Sequence, residues 1–263
     1  MSSFESFDGL TLAYESYGSP GGVPVLLLHG FAADSEANWV RPHVVEALVD
    51  AGRCAMTLDA RGHGRSDKPH DPAAYADDAM VRDVQALLDH LGVEEVDVCG
   101  YSMGAMTTYA LVAREPRARS AVLGGVGVRL GGPALAKRAP RIAKALLADD
   151  PSTVEDRTAA AFRSFADSTG ADLRALAAIQ RSRRSVPLPD GASIRVPTLV
   201  LVGEGDVLVG SPHKLAARIP GATVTVVSGD HLSAVFDPKF RERIVTFLAG
   251  VDERAGASAT WPG

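Results

Sequence analysis

Short apolar runs alternate with longer amphipathic segments along most of the chain. The run at 23–30, VPVLLLHG, is continuously apolar, as expected for a strand that is covered on both faces of a sheet. In the longer segments apolar residues recur every three or four positions, which predicts helices. The pattern places strands at 3–7, 10–17, 23–30, 54–60, 96–102, 120–126, 197–203 and 223–229, and helices at 38–51, 78–91, 103–114, 211–218 and 238–249. This alternation predicts an α/β fold with a mainly parallel sheet and helices on both of its faces.

The alternation stops between about Val128 and Pro197, where helical segments follow one another without a convincing strand. We interpret this stretch as a helical lid inserted into the fold. The predicted division is a core of residues 1–127 and 197–252, a lid of residues 128–196 and a flexible tail of residues 253–263, since the tail is small and polar.

Charge is distributed unevenly between the lid and the rest of the chain. Residues 129–195 contain 12 Lys+Arg and 7 Asp+Glu, which gives this segment a net charge of +5. Because the whole chain has a net charge of −5, the remaining residues together have a net charge of −10. A solvated basic helix face explains such an excess. Attraction of an anionic substrate to the lid is the alternative, and the sequence leaves both open.

Composition narrows the class of protein. With 46% hydrophobic residues, 22% charged residues and a net charge of −5, the chain has the balance of a folded domain. A pI near 5.8 predicts no general affinity for nucleic acid or an anionic membrane. No apolar run approaches the ~18 residues of a membrane span, and the first residues, MSSFESFDGL, do not resemble a secretory signal.

Cys54 and Cys99 lie in apolar runs, so we expect two reduced, buried thiols in a cytoplasmic protein.

The segment Gly100-Tyr101-Ser102-Met103-Gly104 lies between a predicted strand and a predicted helix. It matches the G-x-S-x-G nucleophile elbow, in which a strained turn lifts the serine oxygen clear of the sheet. The flanking positions must be very small because they crowd each other in such a turn. Ser102 is therefore the candidate nucleophile, and an ordinary turn with a capping serine is the alternative.

A serine nucleophile needs a base and an acid that orients the base. His231 follows the last predicted strand, and Asp206 follows the strand before it. The carboxyl ends of parallel strands share one edge of a sheet, so both side chains are expected beside Ser102. Glu204 and Asp230 compete for the acid role, but Asp206 is preferred because the chain order Ser102, Asp206, His231 is that of a nucleophile, acid and base on this kind of sheet.

An oxyanion hole requires two backbone N–H donors. We expect them from Met103, directly after the nucleophile, and from Phe31, in the loop after the strand LLLHG, where His29 is expected to hold the loop. The loops around the nucleophile and the apolar stripe of the lid supply candidates for the substrate pocket, although a lid stripe more often packs in a core. These pocket candidates are Trp39, Tyr101, Phe162 and Phe165.

The motifs LLLHGF, DARGHGRSD, GYSMGA, LVGEGD and GDHL, in this order, resemble the α/β-hydrolase fold superfamily over about residues 5–250. The resemblance implies a mostly parallel eight-stranded sheet, a small helical lid and a triad of Ser102, Asp206 and His231. It also implies that the DARGHGRS segment at 59–66 is a turn stabilised by Arg61 and its glycines, with no catalytic role for His63. Superfamily members that open epoxides or displace halide carry aspartate at the elbow, where this chain has serine.

The expected activity is hydrolysis of a small carboxylic ester or lactone through an acyl-enzyme, with a small-molecule substrate, no cofactor and no metal. A carbon–carbon bond (diketone) hydrolase and a cofactor-free perhydrolase use the same triad and stay open, as does a non-catalytic ligand-binding protein on the same fold. Nucleic acid and membranes are not expected partners. The sequence is compatible with a homo-oligomer but does not indicate one.

Overall fold

The computed structural model describes residues 2–19, 21–182 and 188–255. All eight predicted strands are present in one sheet. They are β1 (Ser2–Glu5), β2 (Thr11–Tyr17), β3 (Val25–Leu28), β4 (Ala55–Leu58), β5 (Val96–Tyr101), β6 (Ala118–Gly124), β7 (Thr198–Gly203) and β8 (Thr223–Val227).

The sheet has the order β1-β2-β4-β3-β5-β6-β7-β8. Only β2 runs against its neighbours, and every pair from β4 to β8 is parallel. Every residue of β3, β4, β5 and β7 is buried, which explains why these strands read as continuous apolar runs. The predicted mostly parallel eight-stranded sheet is confirmed.

Helices cover both faces of this sheet. On one face, α1 and α8 pack against the sheet through Val44, Leu48, Phe240 and Ile244. On the other face, α2, α3 and α7 pack through two further apolar clusters. Their bounds are α1 (Val44–Asp50), α2 (Ala79–His90), α3 (Met103–Val112), α7 (Pro212–Ala216) and α8 (Pro238–Ala255).

The prediction of one helix over 38–51 is wrong. A single π-helical turn, Glu36–Val40, is separated from α1 by a break in which His43 has a left-handed φ of 60°. Pro42 lies in the break and has no N–H with which to continue the helical hydrogen bonds. The periodicity of the apolar positions continues across the break, which is why the pattern concealed it.

Three helices lie between β6 and β7, as expected for an inserted lid. They are α4 (Gly132–Leu146), α5 (Arg157–Thr169) and α6 (Leu173–Ser182). Asp156 caps α5 by accepting a hydrogen bond from the N–H of Ala159, and Gly170 ends it with a φ of 65°. The three helices share an apolar cluster with Phe31 and Met103 of the core, so the lid covers the edge where Ser102 lies.

The ends of two predicted segments differ from the structure. Within the predicted lid, residues 188–196 return along the core, where Ile194 is buried beside Val200, and residues 183–187 lie outside the described residues. In the predicted flexible tail, residues 253–255 continue α8, and residues 256–263 lie outside the described residues.

Cys54 and Cys99 are both buried and free, as predicted, and burial raises the pKa of each thiol. A cytoplasmic location stays a prediction. Among the described helices, none combines the length and apolarity that crossing a membrane requires.

Candidate active site

Ser102 occupies a strained turn between β5 and α3, with φ 52° and ψ −105°. The turn depends on the glycines at both sides: a side chain at Gly100 would overlap the backbone of Gly104, and one at Gly104 would overlap the carbonyl of Leu28. The N–H of Ser102 donates to the carbonyl of Gly124 at 2.8 Å, which anchors the turn to β6. The Ser102 side chain makes no capping hydrogen bond, so the alternative of a capping serine is wrong.

A continuous chain of hydrogen bonds joins three side chains from distant parts of the sequence. Ser102 Oγ lies 2.9 Å from His231 Nε2, and His231 Nδ1 lies 2.6 Å from Asp206 Oδ2. The Asp206 side chain is fully buried, while that of His231 remains 12% exposed. Because the carboxylate can only accept, His231 Nδ1 carries a proton, and its Nε2 is placed to accept the proton of the Ser102 hydroxyl.

The loops after β7 and β8 hold this chain in place. The second oxygen of Asp206 accepts the N–H of Leu208 at 3.0 Å. The hydroxyl of Tyr101 donates a hydrogen bond to the backbone carbonyl of His231 at 2.9 Å, and the centroids of the two side-chain rings are 5.7 Å apart. Burial, together with the nearby carboxylates of Asp206 and Asp230, raises the pKa of Tyr101, so its hydroxyl stays a donor. Tyr101 was expected only to line the pocket, and it also positions the loop of His231.

The two competing acids do not reach the ring of His231. Glu204 is exposed. Asp230 accepts hydrogen bonds from the backbone of Leu232 and from both the backbone and hydroxyl of Ser233, which lower its pKa and fix the loop. The preference for Asp206 from chain order therefore agrees with the geometry.

Two buried histidines connect the loop after β3 to the turn after β4. His29 Nε2 accepts the N–H of Ala60 at 3.0 Å, and His63 Nε2 accepts the N–H of Ala32 at 3.2 Å. Both rings thus hold these loops together, in agreement with the structural role expected for both. Arg61, in the same turn, is fully buried among carboxylates.

The expected oxyanion donors lie close to the nucleophile. Met103 is the first residue of α3, where a backbone N–H has no carbonyl of its own helix to bind. Phe31 follows Gly30, whose added Cβ would lie 3.5 Å from Cβ of Ser102. Asn38 Oδ1 accepts the N–H of Gly30 at 2.7 Å and so fixes this loop. Asn38 was not predicted from the sequence, although its polar side chain beside Trp39 in an apolar segment was a usable signal.

Two cavities meet at Ser102, and Phe31, Phe162 and His231 line both of them. The inner cavity extends under α4 and α6 of the lid and has a volume of about 50 Å³. The outer cavity extends towards the loop after β3 and is lined by Tyr101 and Phe165, among others. Three of the four pocket candidates therefore line a cavity beside the nucleophile.

Trp39 is the exception, and its expected place in the pocket is wrong. Its side chain is fully buried in the cluster between the sheet, α1 and α8. The π-helical turn Glu36–Val40 directs the neighbouring Asn38 to the loop of Gly30 and leaves Trp39 against the sheet. Among the described residues, no group of three or more His, Cys, Asp or Glu side chains is placed to hold a metal ion.

Known proteins resemble this chain over most of its length in structure and over a shorter stretch in sequence. A hydrolase from Pseudomonas aeruginosa PA01 has a TM-score of 0.78 at 28% identity, covering 94% of this chain and 97% of its own. The enol-lactonase from Burkholderia xenovorans LB400 has a TM-score of 0.75 at 26% identity, with coverage of 94% and 100%. Epoxide hydrolase 2 from Siraitia grosvenorii is 35% identical over 118 residues, which is 44% of this chain and 36% of that protein. The chain thus spans about a third of the length of the curated relatives it matches.

A family comparison covers more than half of the chain. The family model described as "alpha/beta hydrolase fold" matches residues 23–177, which include Ser102, the elbow glycines and most of the lid. Together with the sheet order and the full-length structural likeness, this match shows that the chain belongs to the alpha/beta hydrolase fold family.

Proposed function

We propose that the protein is a serine hydrolase that cleaves a small carboxylic ester or lactone. The observation that carries the proposal is the hydrogen-bonded chain from Ser102 through His231 to a fully buried Asp206, at the junction of two cavities. A serine, a histidine and a carboxylate in this order and geometry are the groups required for acyl transfer.

In the proposed mechanism, Ser102 Oγ attacks the substrate carbonyl carbon while His231 Nε2 takes the hydroxyl proton. Asp206 holds the imidazole in the required tautomer and stabilises its positive charge. The N–H groups of Met103 and Phe31 stabilise the negative oxygen of the tetrahedral intermediate. His231 then returns the proton to the leaving oxygen, and water, activated by the same imidazole, releases the acid from Ser102.

One observation supports ester or lactone chemistry over epoxide opening, and a second fits it. Position 102 is serine, whereas superfamily members that open epoxides carry aspartate at the elbow, so the likeness to epoxide hydrolases concerns the framework rather than the nucleophile. The structural likeness to an enol-lactonase, at 26% identity, fits a cyclic or open-chain ester as substrate.

The test is a substrate screen with a matched pair of serine variants. Wild type, Ser102→Ala and Ser3→Ala, a control at an exposed serine of the distant strand β1, are given short esters, lactones and β-diketones. We expect hydrolysis of esters or lactones by wild type and Ser3→Ala, and a loss of roughly 10⁶-fold in kcat for Ser102→Ala.

A fluorophosphonate should label Ser102, and mass spectrometry should locate the label on this residue. Hydrolysis confined to diketones would replace the ester assignment, and absence of both labelling and turnover would favour a non-catalytic ligand-binding protein.

A further inference from the structure

The inner cavity is lined by an arginine whose Nε has no hydrogen-bond partner among the described residues. Arg138 lies on α4 and lines this cavity together with Ser102 and His231. Its Nε is buried without a hydrogen-bond partner, and no ion pair joins Arg138 to any residue in the described part of the chain. A guanidinium remains charged at all physiological pH values, and a buried charge without a counter-charge is destabilising.

The groups around Arg138 do not neutralise it. The negative charge that acts on Arg138 is that of Asp206, whose two oxygens already accept hydrogen bonds from His231 and Leu208. Arg129 lines the same cavity, and its guanidinium donates to the carbonyl of Val207 at 3.1 Å. Burial lowers the pKa of Arg138; the charge of Asp206 opposes this, and Arg129 adds to it. The cavity is therefore lined by two cationic side chains, and one of them has a buried N–H without a partner among the described residues.

A second unsatisfied group lines the same cavity. Gln180, on α6, is 3% exposed, and its Oε1 is buried without a hydrogen-bond partner among the described residues. An amide has two donors and an acceptor, and rotation of its plane exchanges them. Buried polar groups are normally paired in folded proteins, so two orphans in one cavity beside a nucleophile point to a ligand that pairs with them.

We infer that the inner cavity binds a carboxylate of the substrate, with Arg138 as its counter-charge and Gln180 as a further hydrogen-bond partner. This inference rests on the proposed function and narrows it to esters or lactones that carry one carboxylate a few carbons from the scissile carbonyl. A planar guanidinium fits the two oxygens of a carboxylate, and a cavity of about 50 Å³ suits a group of this size.

The kinetic test compares two substrates of nearly equal shape and different charge. Monomethyl glutarate carries a carboxylate where methyl 5-oxohexanoate carries a neutral acetyl group, and both release methanol. We expect wild type to favour the anionic ester in kcat/KM. Arg138→Gln should lose about 10- to 100-fold on the anionic ester and change little on the neutral one.

Lys137→Gln is the matched control, because it removes the same charge from the neighbouring exposed position of α4. It should leave the preference for the anionic ester within about twofold if recognition is local rather than a field of the whole lid. An equal effect of the two variants, or an equal loss on both substrates in Arg138→Gln, would overturn the inference.

A binding test does not depend on catalysis. Titration calorimetry of Ser102→Ala with malonate, succinate, glutarate and, as a competing anion, inorganic phosphate measures affinity for the anion alone. We expect a dicarboxylate to bind and the added change Arg138→Gln to weaken it by about 10- to 100-fold. Arg138→Gln should also leave the melting temperature of the free protein equal or higher, since it removes a partly buried guanidinium whose Nε has no partner among the described residues. Dicarboxylate binding without any ester turnover would reject the proposed function and keep the carboxylate site. Ester turnover with no binding and no charge preference would reject the site alone, and tighter binding of phosphate would reassign its ligand.

Discussion

At the residue scale, the proposed chemistry depends on which carboxylate orients His231. Asp206 and Glu204 are two positions apart in one loop, yet only Asp206 is buried and 2.6 Å from His231 Nδ1. We expect Asp206→Asn to lower kcat by about 10⁴-fold, because an amide facing Nδ1 favours the wrong tautomer of the imidazole. Glu204→Gln, an equally conservative change at an exposed position, should retain nearly full activity. Both are measured with an activated short-chain ester, and a silent Asp206→Asn beside an inactive Glu204→Gln would reverse the assignment.

Residues were predictable from sequence where chemistry fixes their order along the chain. Ser102, Asp206 and His231 could be found because each follows a strand and strand ends share one edge of the sheet. The position of Trp39 could not, because an apolar residue near a site is equally suited to the core behind it. Arg138 also escaped notice, since a basic residue in an amphipathic helix usually faces solvent. Only the packing of the lid shows that its Nε is buried.

At the scale of elements, the turn after β4 is held by one buried arginine. The guanidinium of Arg61 binds Asp83 of α2 twice at 2.6 Å, binds Asp8, and donates to the carbonyl of Ala74. We expect Arg61→Met to lower the free energy of unfolding by about 3–5 kcal/mol, since it leaves the buried carboxylate of Asp83 without its counter-charge. Denaturant unfolding followed by circular dichroism measures the loss.

Arg114→Met provides the comparison for Arg61→Met. Arg114 pairs with Asp78 at 2.7 Å, and both side chains are more than one-third exposed. Exposed pairs contribute less than about 1 kcal/mol, so this variant should unfold almost as wild type does. Similar losses in the two variants would mean that the turn after β4 does not depend on the buried pair.

Helices and strands with a strong periodic pattern and clear ends were predicted well. A helical segment that is interrupted within its apolar pattern was not. The inner strands β3, β4, β5 and β7 were found because burial on both faces makes a run apolar throughout. The segment 38–51 failed because Pro42 divides it while the apolar period continues to either side. The lid helices were found as helices, but the return of residues 188–196 to the core has no periodic signal of its own.

At the scale of the whole molecule, the lid and the core build the site together. Thr169 of α5 donates to the carbonyl of Ala32 at 2.9 Å, and Asp172 pairs with His70 at 2.9 Å, so two polar contacts tie the lid to loops of the core. An apolar cluster shared by the lid helices, Phe31 and Met103 adds to these contacts. A lid was predicted from the sequence. The length of the predicted lid could not show, however, how much space the lid leaves above Ser102.

Phe162 is a lid residue that lines both the inner and the outer cavity, and its ring packs edge-on against Phe31 at 5.8 Å between centroids. Phe162→Ala should merge the two cavities. We expect the ratio of kcat/KM for 4-nitrophenyl octanoate over the butyrate to rise roughly tenfold, the scale of a few added methylene contacts. Phe162→Ala should also lower the free energy of unfolding by up to about 3–5 kcal/mol.

Phe165→Ala is the control: it removes a phenyl ring that lines the outer cavity alone, and it should leave the ratio within about threefold. If both variants shift the ratio equally, chain length is selected at the entrance to the site, and the ring of Phe162 does not divide it.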